Sequence, residues 1–246
     1  MATARTLSSP PISEALVDIQ AAVVASPEAF EALGKEFKSE YPRADTRRIF
    51  QAELKVEHGR LLPPVAKDLG FQGVWLFNSD ETAVVQFRPN GLTLNNLKKY
   101  IGGDRLIDEA LTLWSRFSER LQPTPVMRIA LRYINRLELP FRPGDGFDRF
   151  LTAAPPVPPE APQSVSEFLS RVVTQEPTTE ATVIITQQLT HAEPNSPLVV
   201  IDVDTFKSGT LSTDPCELRK SREQLRLLKN RTFFSLLTEE AVKLYV

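Results

Sequence analysis

The sequence predicts an α+β fold, a mostly antiparallel sheet with helices segregated to one side. Three observations carry this expectation. Val126–Leu139 alternates apolar and charged residues along its whole length, the period of a strand with one buried face. Asp104–Leu121 steps its apolar residues by three and four, the period of an amphipathic helix. The other β-rich stretches are separated mainly by turn residues, which suits antiparallel neighbours.

In chain order, residues 1–11 are small, polar and proline-containing and read as a flexible lead-in. Glu14–Val24 alternates as a strand, with Val17, Ile19, Ala21 and Val23 on one face and Leu16, Asp18, Gln20 and Ala22 on the other. Ser26-Pro27-Glu28 opens a helix, with Ser as cap, Pro at the first helical position and Glu at the positive end of the dipole. Phe30, Leu33, Phe37 and Tyr41 give it an apolar stripe, and Pro42 ends it. Arg48–Glu57 alternates again, and Gly59 and Pro63-Pro64 break it. Gly73–Phe77 is a short apolar strand, and Thr82–Arg88 returns as its partner across Asn78-Ser79-Asp80-Glu81. Asn90-Gly91 suits a tight hairpin into Leu92–Leu94.

Asp104 is placed as the cap of the second helix, whose stripe is Leu106, Ala110, Leu113, Trp114, Phe117 and Leu121, ending before Pro123. In Val126–Leu139, Met127, Ile129, Leu131, Tyr133, Leu137 and Leu139 lie on one face, and Arg128, Arg132, Arg136 and Glu138 on the other. Arg142–Phe150 reads as a turn with a short helix, and 153–162 is Pro-rich and extended. Ser164–Val173 is predicted to be a short helix with Val165, Phe168, Leu169 and Val172 inward. Glu180–Thr190 and Leu198–Phe206 form a hairpin with a longer loop. Asp214-Pro215-Cys216-Glu217 is a capping-box pattern for a helix running to about Phe234, with a further segment from Thr238. Leu218, Leu225, Leu228, Phe233, Leu237 and Leu244 supply its apolar positions.

This order divides into a β-α-β-rich-α half at 12–125 and a β-α-β-β-α half at 126–246, either a tandem duplication of one β-α-β(n)-α unit or a single compact domain. The first half shares its element order with the TATA-binding-protein-like and helix-grip folds, an analogy of fold that carries no function.

Composition narrows the function classes. The 246 residues hold 29 Lys and Arg against 31 Asp and Glu, a net charge of −2, which argues against a globally basic nucleic-acid binder. One Cys and two His exclude a disulfide scaffold and a Cys/His zinc site within the chain. No apolar run approaches the roughly 20 residues of a membrane span, and the first residues have no apolar stretch of a signal peptide. A cytoplasmic location without membrane contact is the expectation.

Several stretches together resemble one known group. They are Pro10-Pro11-Ile12-Ser13-Glu14-Ala15-Leu16-Val17-Asp18-Ile19, Val85-Gln86-Phe87-Arg88 with Gly91-Leu92, Arg128-Ile129-Ala130-Leu131-Arg132-Tyr133-Ile134-Asn135-Arg136-Leu137, and Ile201-Asp202-Val203-Asp204. The chain resembles a sporadically distributed family of uncharacterised bacterial proteins of about this length. The resemblance implies a bacterial soluble protein and transfers no catalytic residue or cofactor.

Arg128, Arg132 and Arg136 form the first candidate site. Residues four apart on a strand share a face and stand about 13 Å apart, too far to grip one phosphate but suited to successive groups of an extended anion. The plain alternative is a solvated face on which they pair with Asp18, Glu138 or Asp202 of neighbouring strands. Asp202 and Asp204 share a face about 7 Å apart. They could hold a metal or act as acid and base, but serve more simply as partners of the arginine row.

His58 and His191 at strand ends and Cys216 at a helix start are weak candidates for proton transfer and nucleophilic chemistry. No phosphate-binding glycine loop, GxSxG elbow or HExxH pattern occurs. The function expected is therefore a non-catalytic binding or interaction protein, with no cofactor or metal. Arg128, Arg132 and Arg136 would contact an anionic small molecule or protein partner, oriented by Asp18 and Asp202. One alternative is a small-ligand receptor or enzyme with a sheet–helix pocket lined by Trp75, Phe87, Trp114 and Tyr133. Another is nucleic-acid binding through Arg219, Lys220, Arg222, Arg226, Lys229 and Arg231 of the last helix.

Overall fold

The alternation in the two most regular strands decides which side of the sheet is covered. In a computed structural model of the chain, β1 (Ile12–Gln20) turns Ala15, Val17 and Ile19 into the core, and β8 (Val126–Glu138) does the same with Ile129, Leu131 and Tyr133. The two strands pair antiparallel, Val17 opposite Leu131 and Ile19 opposite Ile129, so their apolar residues line one face. The structure describes the chain apart from residues 54–55, 58–59, 62–64, 99, 101, 142–145, 194–195 and 213.

The remaining elements are α1 (Pro27–Glu36), β2 (Arg43–Glu53), the short pair β3 (Val56–Glu57) and β4 (Arg60–Leu61), β5 (Val65–Phe77), β6 (Ala83–Arg88), β7 (Gly91–Leu97), α2 (Gly103–Leu121), β9 (Phe168–Glu176), β10 (Ala181–Glu193), β11 (Ser196–Leu211), α3 (Pro215–Ser235) and α4 (Glu239–Lys243). Nine strands form one antiparallel sheet in the order β2-β5-β6-β7-β1-β8-β11-β10-β9. The first strand of each half is central, and the rest of each half extends outward.

The helices cover the apolar face. A side chain on Gly34 of α1 would meet Leu76 and Val74 of β5, and α2 brings Phe117 within 5.8 Å of Phe87 on β6. In the second half, buried Thr205 of β11 donates to Leu131 O of β8 and to Leu225 O of α3, at 3.2 and 3.3 Å. Phe30, Phe37, Phe71, Phe87, Trp114 and Phe117 make a contiguous aromatic cluster beneath α1 and α2. Residues 1–11 lie without regular secondary structure against α4: Ala2 N donates to Leu237 O, Ser9 N to Tyr245 O, and Arg5 pairs with Glu239.

Several expectations need correction. Ser164–Val173 is not a helix. From Phe168 the chain is edge strand β9, because β10 offers a free ladder and the run Val172-Val173-Thr174 is β-branched. Leu169, Val172 and Val173 are exposed, and only Val165 and Phe168 pack against the core. The second half therefore runs strand, strands, helix with only a 3-10 turn at Phe147–Arg149, not strand, helix, two strands, helix.

Helix starts also differ. α2 begins at Gly103 with Gly102 as its uncapped first neighbour, so Asp104 lies in the first turn. Ser26 sits at the cap position of α1 but makes no capping bond. Asp214 does cap α3, accepting from Cys216 N at 2.8 Å, and Thr238 caps α4. Strand β5 starts at Val65 rather than Gly73, continuing through register shifts at Gly70 and Gly73. Met127 is half-exposed, close to where the β8–β11 register breaks.

Gly91 fixes the entry of β7. Its φ is +133°, and a Cβ there would stand 2.1 Å from Ile19 O on β1. Gly91→Ala is expected to lower the unfolding free energy by about 2–3 kcal/mol. Denaturant titration checks this, and an unchanged midpoint would contradict the close approach.

Candidate functional site

The sheet face opposite the helices carries the charged residues. Even positions on β1 and β8 point there, so Asp18 of β1 and Arg128 and Arg132 of β8 share it with Asp202 and Asp204 of β11. The registers decide who meets whom. Asp18 stands opposite Thr93 on β7, and Arg128 opposite Gln20 on β1, one diagonal step from Asp18.

Asp18 is 6% exposed and its carboxylate is fully used. Oδ1 accepts from Arg88 Nη2 at 2.6 Å and Thr93 Oγ1 at 2.7 Å. Oδ2 accepts from Arg128 Nη1 and Gln20 Nε2, both at 2.9 Å. Arg128 continues the chain of charges by donating to Asp204 at 3.0 Å, and its guanidinium lies 4.4 Å above the Phe206 ring. Arg132 grips Asp202 through Nε and Nη2 at 2.6–3.1 Å.

The electrostatics follow from this packing. The hydrogen bonds to Asp202 raise Arg132 above its ordinary value. Burial pushes the Asp204 carboxyl up, outweighing the pull of Arg128 and Arg132. Burial also raises Glu14, although Arg132 opposes it. The Arg132 side chain remains 43% exposed, so its pair with Asp202 contributes only about 1 kcal/mol. Asp204 Oδ1 and Arg88 Nε are buried without a hydrogen-bond partner among the described residues.

Arg136 differs from the other two. It is exposed, and among the described residues it makes no ion pair. It stands on the wall of an open groove of about 710 Å³, with Pro10, Pro11, Phe141, Pro197 and Tyr245. Thus Asp18, Arg128, Arg132 and Asp202 lie on one face, but the carboxylates neutralise Arg128 and Arg132 as well as orienting them. Arg88, Thr93 and Glu14 are members that sequence reasoning missed. The signal for Arg88 was present: it has the same alternation phase as Gln86 in Val85-Gln86-Phe87-Arg88.

The four proposed pocket residues are not brought together. Trp75 alternates with Val74 and Leu76, which face α1, and so points to the polar face. Phe87 and Trp114 are buried against Phe117, at 5.8 and 5.4 Å. Tyr133 lies under α3 beside Tyr100 and Lys229. Its space is occupied by neighbouring side chains.

The basic run of α3 is largely consumed within the fold. Arg219 pairs with Asp108, Lys220 with Glu217, Arg226 with Glu223 and Asp104, and Arg231 with Glu176. Arg222 is 1% exposed, and burial pulls it down to about 10. Burial pulls Lys229 down to about 7, with a smaller push from Arg226.

Cys216 is exposed, and its N–H is bound to the Asp214 cap. His58 lies outside the described residues, and the His191 backbone pairs with Pro197. Among the described residues no group of three His, Cys, Asp or Glu side chains is arranged to hold a metal ion. No helix among them is long and apolar enough to cross a membrane.

Asp18→Asn is expected to cost about 2–3 kcal/mol of stability, because it takes the carboxylate from Arg88 and leaves Arg128 with Asp204 alone, each guanidinium side chain being only 21% exposed. Chemical unfolding measures it, and a loss below about 0.5 kcal/mol would refute the network's weight. A second outcome concerns pH. Lys229 has a folded value near 7 against an ordinary 10.5, so between these pH values the unfolded chain binds more protons. Stability conferred by the wild-type residue relative to Lys229→Met should therefore rise with pH across that window, by at most about 1.4 kcal/mol per pH unit. Parallel denaturant titrations at pH 6.5, 8 and 9.5 test it, and a flat difference would contradict a buried, neutral amine.

No protein-family model and no curated protein matches this chain.

Proposed function

We propose that the protein is a non-catalytic binding protein that recognises an extended anionic partner, such as an acidic peptide, through Arg132 and Arg136. The observation that carries this reading is the state of Arg136: exposed, free of any ion pair among the described residues, and set on the wall of a groove whose lining includes four prolines, Phe141 and Tyr245, with Glu138 as its acid. A guanidinium in that position has unused donors in a planar fork that matches a carboxylate. Arg132, four residues earlier on the same face, stands about 13 Å away and is partly open to solvent. The two can contact successive acidic groups, with Arg132 held at one orientation by Asp202.

Arg128 has a supporting part. Its guanidinium is engaged by Asp18 and Asp204 and braces β8 against its neighbours. The apolar groove wall, Phe141 and Tyr245 with Pro10, Pro11 and Pro197, supplies surface for the partner's side chains.

The test is titration of a fluorescent poly-glutamate peptide at two salt concentrations. Binding should weaken with salt and fall about tenfold or more in Arg136→Glu, with a smaller loss in Arg132→Glu. Both variants should keep the thermal midpoint of the wild type within a few degrees. If both folded variants bind as well as the wild type, the reading fails.

A further inference from the structure

We propose that the protein associates with a second copy of itself by antiparallel pairing of β9 with β9, about a two-fold axis at Val173. This surface is the edge of the sheet and is independent of the function proposed above.

The nine-stranded sheet is open, and its terminal strands are β2 and β9. A terminal strand presents backbone donors and acceptors that a further strand can use, and natural proteins blunt such edges with charge, proline or bulges. β2 is blunted in two of these ways. Five of its eleven residues, Arg43, Asp45, Arg47, Arg48 and Glu53, are charged. Its ladder to β5 also shifts register twice, between Arg47 and Arg48 and between Ile49 and Phe50.

β9 has none of these devices. It contains no proline, and its ladder to β10 runs without a shift from Phe168 to Glu176. Glu176, at its end, is engaged by Arg231, which leaves Arg171 as the one charge inside the strand. Leu169, Val172 and Val173 are 70%, 48% and 52% exposed. Beside the end of the strand, Leu227 of α3 is also exposed and lines a groove of about 210 Å³ with Glu176 and Thr178. An edge that is regular, apolar and nearly uncharged is a surface for strand addition.

The sequence of β9 selects its own copy as the occupant. A two-fold axis normal to the sheet and through one residue sets like-facing positions opposite each other, so both faces of the sheet continue across the seam. The choice of residue decides where Arg171 goes. An axis at Arg171 sets the two guanidinium groups directly opposite, and an axis at Val172 leaves them one diagonal step apart, both unfavourable. An axis at Val173 sets each Arg171 opposite Gln175 of the second copy, whose amide oxygen can accept from it. The two arginines then stand about 13 Å apart along the strands.

The same register gathers the apolar residues at the centre. Val173 meets Val173 on the face shared with Ile184, and Val172 lies one diagonal step from Val172 on the face shared with Ile185. Ser170 stands opposite Glu176 at the rim. An apolar middle with polar ends is the usual anatomy of a protein interface. One strand pair and a few side chains make a small interface, so the dimer is weak, with a dissociation constant on the order of 10–100 μM.

Sedimentation equilibrium of the full chain from about 5 to 500 μM tests the pairing. The wild type should follow a monomer–dimer equilibrium. Val173→Lys puts two ammonium groups against each other at the axis and should weaken the dimer about tenfold or more. Phe50→Lys, on the opposite edge, should leave it unchanged. In a Cys216→Ser background, Val173→Cys should oxidise to a disulfide-linked dimer, because directly opposed positions lie within reach of that bond. Arg171→Cys should not, its two copies being about 13 Å apart along the strands. A wild type that stays monomeric throughout would overturn the proposal, as would undiminished association of Val173→Lys with an unchanged thermal midpoint. Growth beyond the dimer would point to head-to-tail pairing of β9 with β2 and overturn the two-fold arrangement. Cross-linking through position 171 in preference to 173 would overturn the register, and this comparison decides the matter if Val173→Lys does not fold.

Discussion

One buried carboxylate holds the polar face of this sheet in order. Asp18 receives donors from its own strand and from β6, β7 and β8, and loses nearly all contact with water in doing so. Burying an anion in that way is tolerable only when every lone pair is matched, and here two guanidinium groups, a hydroxyl and an amide match it. The same contacts fix the direction of Arg128, which then reaches Asp204 on β11. A single residue near the middle of the sheet thereby correlates side chains over five strands.

Two kinds of cation result. Those on the polar face near Asp18 are satisfied by carboxylates from neighbouring strands, and their charge is largely spent inside the protein. Arg136 and Lys229 lie outside that arrangement, one in solvent beside a groove and one buried against an aromatic ring. The distinction comes from which acids are already taken. Arg136 stands opposite Val200 and one diagonal step from Asp202, but the Asp202 carboxylate is gripped by Arg132. Charge count alone would have treated the three arginines alike.

Much of the architecture was legible in the sequence. Alternation in Val126–Leu139 and the three–four stepping of Leu106, Ala110, Leu113, Trp114, Phe117 and Leu121 are direct consequences of strand and helix geometry, and both elements stand where they were expected. Ser164–Val173 failed because a short apolar run fits either period, and the deciding factor was a vacant ladder on β10 that sequence alone does not display. The pairing of Asp18 and Asp202 with the arginine row was readable from parity. Arg88 and the Lys229–Tyr133 contact were less so, since each depends on which strand or helix lies beside which. The four aromatic residues grouped as a pocket share chemistry but not location, Trp75 being on the opposite face from Phe87, Trp114 and Tyr133.

The central position of β1 has a consequence for the order in which the molecule can be completed. During synthesis β1 emerges first and can join β7 once residue 97 is available, yet its other edge has no partner until Val126–Glu138 follows. Through that interval the nascent sheet ends in an unprotected row of backbone donors and acceptors, with Asp18 missing Arg128. Residues 2–9 wait longer still, because their backbone partners are Leu237 and Tyr245. Closure of the fold therefore waits for residues 237–245, and a ribosome-bound intermediate that still lacks β8 would be vulnerable to strand capture by its neighbours on the same message.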